Sequence, residues 1–224
     1  MKTFRNSVLL STIWFLVWGV FIFSFQSEGI NYVKNFAVSC AYFALIIFLL
    51  YETFGEHLKA RANNFSLKEI GIASVLIAVS VYVYWILNHF VISLDYGSIR
   101  NTLAYPLQIK NSFLITKAFE IMFQQAFFII SIDYLFKNQL KTSYDIIIFG
   151  FYSFLIHLPI IFILDSSLAW VILFSSFAAG MLFSYCIIKY KNGFLYSYII
   201  HYSFYVLIGV VYWLYRTNSF SFLS

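Results

Sequence analysis

At 224 residues the chain is long enough for one or two soluble domains, but 62% of its residues are hydrophobic, only 10% are charged and the mean hydropathy is +0.84. A soluble domain carries about a quarter charged residues to keep its surface in water, and 14 Lys and Arg with 9 Asp and Glu cannot cover a globule of this size. The same figures exclude disorder, and two cysteines, Cys40 and Cys186, exclude a disulfide scaffold; lipid is the expected solvent.

Taken in chain order, the charges punctuate long apolar runs. Met1-Lys2-Thr3-Phe4-Arg5 leads into a charge-free run over 6–27. That run is bulky and lacks a small-residue cleavage site, so it reads as a retained helix and not as a cleaved signal peptide. Further charge-free runs cover 35–51, 70–94, 146–164, 166–188 and 192–215, and 112–136 is apolar apart from Lys117, Glu120 and Asp133. Each is near the ~20 residues that a helix needs to cross a hydrocarbon core. The runs are continuous and do not alternate, which favours helices over a barrel.

The predicted fold class is therefore all-α: a polytopic transmembrane helix bundle of seven spans, with a possible eighth element around Tyr105-Pro106. No linker or repeat divides the chain, so 1–224 is expected to form a single integral membrane domain. The interval from Gly55 to Glu69 is predicted to be a polar loop, which would leave His57 solvated. Asp133, near the end of its run, is expected at the interface.

Seven spans with the N-terminus inside place Lys2, Arg5, Lys59, Arg61, Lys68, Lys137, Lys141, Lys189 and Lys191 in the cytoplasm. Lys34, Arg100, Lys110 and Arg216 then fall outside, and nine against four satisfies the positive-inside rule. The predicted location is thus a cell membrane, crossed several times. Anionic lipid headgroups facing the basic loops account for the net charge of +5, and no nucleic-acid partner is needed.

Ionisable groups inside spans are costly and normally face a bundle interior, which makes them the first functional candidates. Lys117, Glu120, Gln124 and Ser131 share one helical face, and Gln125 extends the polarity. The plainest account of Lys117 is that it neutralises Glu120 one turn away. His157 lies in the middle of the next run, with Gly150 and Ser153 at helical spacing before it. Pro159 follows and is expected to free a carbonyl one turn earlier and to kink the helix. His201 has Tyr198 and Tyr205 on its face, and His89 ends the third run. At 1.5 Å per residue Glu120 lies about 12 Å and His157 about 10 Å from the outer ends of their spans, with His201 nearer the middle.

Glu120, His157 and His201 are accordingly predicted to converge as the catalytic set, supported by Gln124, Lys117, Ser153, Tyr205 and His89. A carboxylate and two imidazoles can activate a water or a hydroxyl, one group taking the proton while another orients or donates. The same three residues can in principle hold Zn²⁺ with one position open, but no HExxH-like pair supports a metal, and no cofactor is predicted.

The order and spacing of these segments resemble the CPBP family, also called the Abi or CaaX-protease and bacteriocin-processing family. Its members carry Glu-Glu-x-x-x-Arg, Phe-x-x-x-His and His-x-x-x-Asn/Asp on successive membrane helices. Phe119-Glu120-Ile121-Met122-Phe123-Gln124 falls where the first motif belongs, Ser153-Phe154-Leu155-Ile156-His157 where the second does, and His201-Tyr202-Ser203-Phe204-Tyr205 where the third does. Residues 177–185 and Asn192-Gly193 resemble the small-residue helix and turn before the third motif. The resemblance spans about 112–212, and Glu120 and both histidines are kept. Phe119, Gln124, Ser153 and Tyr205 replace the first Glu, the Arg, the Phe and the Asn.

What the resemblance implies is a membrane protein acting on a lipid-modified polypeptide, by lipoprotein N-acylation or other acyl transfer, or by intramembrane hydrolysis. Phe119 weakens the hydrolytic version. Implied partners are membrane lipid, the lipidated polypeptide and a partner membrane protein. The alternative is a non-catalytic bacteriocin self-immunity or binding protein. A transporter subunit with a proton-relay Glu is weaker still, because paired broken helices and inverted repeats are not apparent.

Overall fold

The computed structural model describes residues 2–26, 28–30, 32, 35–62, 71–72, 74–82, 111–136, 142–162 and 166–216, and among these every element is helical. Helix α1 (Lys2–Gly19) continues into a π-helical stretch, Val20–Gln26. The stretch closes on Gly29, whose φ of 75° is one that only glycine adopts freely, where the Ile30 amide donates to the Phe25 carbonyl at 2.9 Å. Helix α2 is Phe36–Ala62, interrupted at Phe54, and α3 is Asn111–Phe136. Helix α4 (Thr142–His157) ends in a 3₁₀ turn, Leu158–Phe162, and α5 (Ser166–Lys189) and α6 (Gly193–Arg216) complete the described chain.

Five of these helices are long and apolar enough to cross a membrane: Arg5–Phe25, Phe36–Lys59, Asn111–Tyr134, Ser143–Phe162 and Ile172–Lys189. This corrects the expected seven. Most of the run over 70–94, with Tyr105-Pro106 and His89, lies outside the described residues. The run over 192–215 does form a helix, α6, but it is not one of the five. Its described side chains are rich in hydroxyls (Tyr196, Ser197, Tyr198, Tyr202, Ser203, Tyr205), and beyond Gly209 none is described.

Helix α3 is the centre of the bundle. Of its apolar window 78% is buried, against 39% or less for the other four, and it packs on α1, α2, α5 and α6. The core along it is largely aromatic: the Trp14 ring lies 5.8, 5.1 and 6.3 Å from Phe123, Phe127 and Phe128, and Phe43 stacks on Phe123 at 6.0 Å. Rings offset or tilted at these separations add to the stabilisation that burial alone gives.

Helices α4 and α5 meet through small residues. A Cβ on Gly180 would stand 2.5 Å from the Ser153 Cβ, and one on Gly150 would stand 2.6 Å from Met181 Cγ. Small residues at such crossings let the backbones approach where lipid supplies no hydrophobic drive between helices. Gly180→Val is expected to cost about 1–3 kcal/mol through overpacking, read as a lowered thermal midpoint in detergent; an unchanged midpoint would contradict the contact. The turn between α5 and α6 is equally tight, because a Cβ on Gly193 would run into the Cys186 carbonyl.

Two polar links close one end of the bundle. His57 Nδ1 sits 2.6 Å from Asp133 Oδ2, and Asn6 Nδ2 donates to the Tyr134 carbonyl at 3.4 Å. The expectation of a solvated His57 in a loop from Gly55 is thus corrected. Helix α2 runs through Gly55 to Ala62, because Phe54 and the His57 ring have Tyr134 of α3 to pack against, at 5.9 and 5.1 Å.

Candidate functional site

Helix α3 brings its polar stripe inward. Lys117, Glu120, Gln124 and Gln125 are all buried, as are Thr116 and Ser131, while Phe119 is 40% exposed. Lys117 Nζ lies 2.9 Å from Glu120 Oε1 and 2.7 Å from Oε2, and Gln124 Nε2 donates to Oε1 at 2.7 Å. Oε1 therefore accepts from both neighbours on the same helix, while Oε2 faces the ammonium without a hydrogen-bond partner. Three rings surround the Lys117 ammonium: Tyr205 at 4.2 Å, Tyr32 at 5.1 Å and Phe113 at 5.7 Å. A desolvated cation over aromatic faces gains from their quadrupoles, which helps a buried lysine stay charged opposite its carboxylate.

A second polar group is built between α3 and α6. Gln125 Nε2 is 3.0 Å from His201 Nδ1, and Ser197 Oγ donates to Gln125 Oε1 at 2.7 Å. The His201 ring is stacked between Phe183 at 4.8 Å and Tyr205 at 5.4 Å. Tyr205 thereby touches both polar groups, with Lys117 on one side and His201 on the other. Tyr198, expected beside His201, instead reaches the Ala118 carbonyl at 3.3 Å and stacks on Tyr202 at 6.3 Å.

His157 comes from α4. Its Nδ1 lies 2.7 Å from the Ser153 carbonyl one turn back, so Nδ1 carries the proton and donates it, leaving Nε2 with a lone pair. The Ser153 side chain faces Gly180 and contributes packing. Just beyond, Pro159 lacks an N–H and the helix tightens to 3₁₀. The Ile156 carbonyl accepts instead from the Trp14 indole at 3.1 Å, and the Trp14 ring meets His157 edge-on at 5.5 Å. Lys117 and His157 both lie within electrostatic reach of His201.

The predicted site residues are therefore distributed as two adjoining clusters and a third arm. Lys117, Glu120 and Gln124 form the first, His201 with Gln125 and Ser197 the second, Tyr205 bridges them, and His157 approaches from α4. His89 lies outside the described residues. Among the described residues no three of His, Cys, Asp and Glu gather closely enough to hold a metal ion. Trp14 and Ser197 were missed from sequence. Ser197 had a signal, since it stands one turn before His201 on the same face; Trp14 had none, because its contact with α4 is purely tertiary.

The position where the resembled motif has its first Glu points away from the polar stripe. Phe119→Glu is expected to create no peptide cleavage and to lower the amount of inserted protein, at a cost of about 2.5–3.5 kcal/mol for a mid-helix acid. A cleavage assay on membranes with quantified protein checks both; newly acquired cleavage would contradict the outward placement of residue 119.

Comparison of the chain with protein-family models, with curated proteins and with solved structures finds no match.

Proposed function

We propose that the chain is a multi-pass membrane protein of CPBP type, its N-terminus cytoplasmic, acting on a lipid-modified polypeptide through Glu120, His157 and His201, with acyl transfer favoured over peptide hydrolysis. Five apolar helices support residence in the membrane. Helices α2 and α3 run parallel, with Cys40 beside Thr116 and His57 beside Asp133. Cysteine labelling at positions 100 and 141 tests the topology: 100 is expected to react from outside and 141 only after permeabilisation, and equal labelling from outside would contradict it.

The observation that supports the chemistry is that both histidines have Nδ1 engaged, His157 by the Ser153 carbonyl and His201 by Gln125 Nε2. His157 keeps its Nε2 lone pair because Nδ1–H is spent on the Ser153 carbonyl. His201 Nδ1 lies 3.0 Å from Gln125 Nε2, an amide nitrogen that can only donate, which fits a ring proton on Nε2. Glu120 is held beside Lys117, so in this reading the Lys117–Glu120 pair sets the local field and the histidines handle the protons. His157 Nε2 takes a proton from an attacking amine as its nitrogen bonds to an ester carbonyl carbon. His201 Nε2–H donates to the oxyanion, and collapse expels the alcohol, which leaves with the proton from His157. No metal is needed for these steps.

A second reading, a non-catalytic immunity or binding protein, is favoured by one observation: the Lys117–Glu120–Gln124 set is internally neutralised. Mass spectrometry of lipoprotein N-termini from cells with and without the protein separates the two. An altered acylation or cleavage pattern is the expected result. An unchanged pattern would remove this substrate class and favour immunity.

A further inference from the structure

We infer that Gln125, itself oriented by Ser197, is a positioning residue that locks His201 in the Nε2–H tautomer. The functional meaning of this lock rests on the reading above, but the lock itself does not. Gln125 and Ser197 are both fully buried, so neither amide nor hydroxyl has water as an alternative partner, and the orientation of the Gln125 amide is settled within the trio.

The Ser197 hydroxyl has one proton and two acceptors in range, Gln125 Oε1 at 2.7 Å and the Phe194 carbonyl at 2.9 Å. The shorter contact is to Gln125, and the Phe194 carbonyl already has an intrahelical donor one turn on, the Tyr198 amide. With Oε1 taken by Ser197, the amide turns its N–H toward His201, 3.0 Å away. An N–H facing Nδ1 forbids a proton there. The ring has no freedom to escape this by flipping over, because Phe183 and Tyr205 stack on it, each at 29° to its plane. Nδ1 therefore stays on the Gln125 side, and Nε2–H projects away from that partner.

Gln125 is one residue past the predicted stripe, and the bland reading is that it merely satisfies a buried histidine. The two readings differ in what happens to the proton. A residue that only fills space can be replaced by leucine without changing where the imidazole proton sits, whereas a lock cannot.

Nitrogen NMR of the full chain in nanodiscs, labelled with ¹⁵N-histidine at a pH where the imidazoles are neutral, reads the tautomer directly. The His201 signals are assigned by their loss in His201→Asn. Wild type is expected to show one tautomer, with an unprotonated, hydrogen-bonded Nδ1 and a protonated Nε2. Gln125→Leu and Ser197→Ala are each expected to shift the Nδ1 signal and to populate both tautomers. A proton on Nδ1 in wild type, or unchanged His201 signals in both variants, would overturn the inference. Should Gln125→Leu fail to fold, the wild-type spectrum and Ser197→Ala still decide it. No substrate is present, so the spectrum stands or falls separately from the acyl-transfer reading, which the lipoprotein N-termini test.

Discussion

Glu120→Ala is expected to destabilise the protein by about 3–5 kcal/mol, more than any other single change in the bundle, because it strands the Lys117 ammonium in a buried site. Lys117 is 4% exposed and Glu120 1%, so water is excluded from the pair. The three rings around Lys117 attract a cation but do not neutralise it. Lys117→Met should be costly for the mirror reason, since it leaves Glu120 with only Gln124. The double change Lys117→Met with Glu120→Leu removes both charges and is expected to recover most of the stability, as buried pairs replaced by apolar groups of similar volume commonly do. Unfolding in detergent, together with the amount of protein in membranes, checks all three. Additive losses in the double variant would contradict a closed pair, and a stable Glu120→Ala would mean that Lys117 has another anion.

His157→Ala should leave the bundle intact and remove the chemistry. Its ring bonds to a carbonyl of its own helix and meets Trp14 edge-on, so its loss breaks one ring contact but no hydrogen bond between helices. If Nε2 is the base, the rate of acyl transfer should fall by about 10²–10⁴-fold at unchanged protein abundance. His201→Ala should lose about 10²–10³-fold by removing the oxyanion donor. Function that survives both changes would favour the non-catalytic reading.

Much of this arrangement was legible in the residues. A buried, polar α3 followed from Lys117, Glu120 and Gln124 sharing a face, because a helix in an apolar solvent must turn such a stripe toward other helices. The end of α4 followed from Pro159, which cannot donate to the preceding turn. The α5–α6 turn at Asn192-Gly193 was expected from the family resemblance alone, and in the structure a side chain at Gly193 would strike the backbone. The extent of α2 did not follow, because the polarity of Gly55–Glu69 argues for a loop. The His57–Asp133 pair and the rings of Phe54 and Tyr134 that keep the helix going come from a segment some 75 residues away. The contact of Trp14 with α4 and the partner of Gln125 were illegible for the same reason. Their partners lie on other helices, and neither periodicity nor spacing encodes a tertiary hydrogen bond. Convergence of Glu120 with the two histidines was expected as one cluster. In the structure Glu120 is held by Lys117 and Gln124 of its own helix, His201 by Gln125, and His157 by the Ser153 carbonyl.

The central claim is that the two histidines perform a reaction on membrane lipoproteins. Its most direct test is mass spectrometry of lipoprotein N-termini from cells in which the chain is replaced by the His157→Ala, His201→Ala double variant at wild-type abundance. The account predicts the same spectrum as cells lacking the protein, differing from wild type in acylation. A spectrum identical to wild type would contradict it.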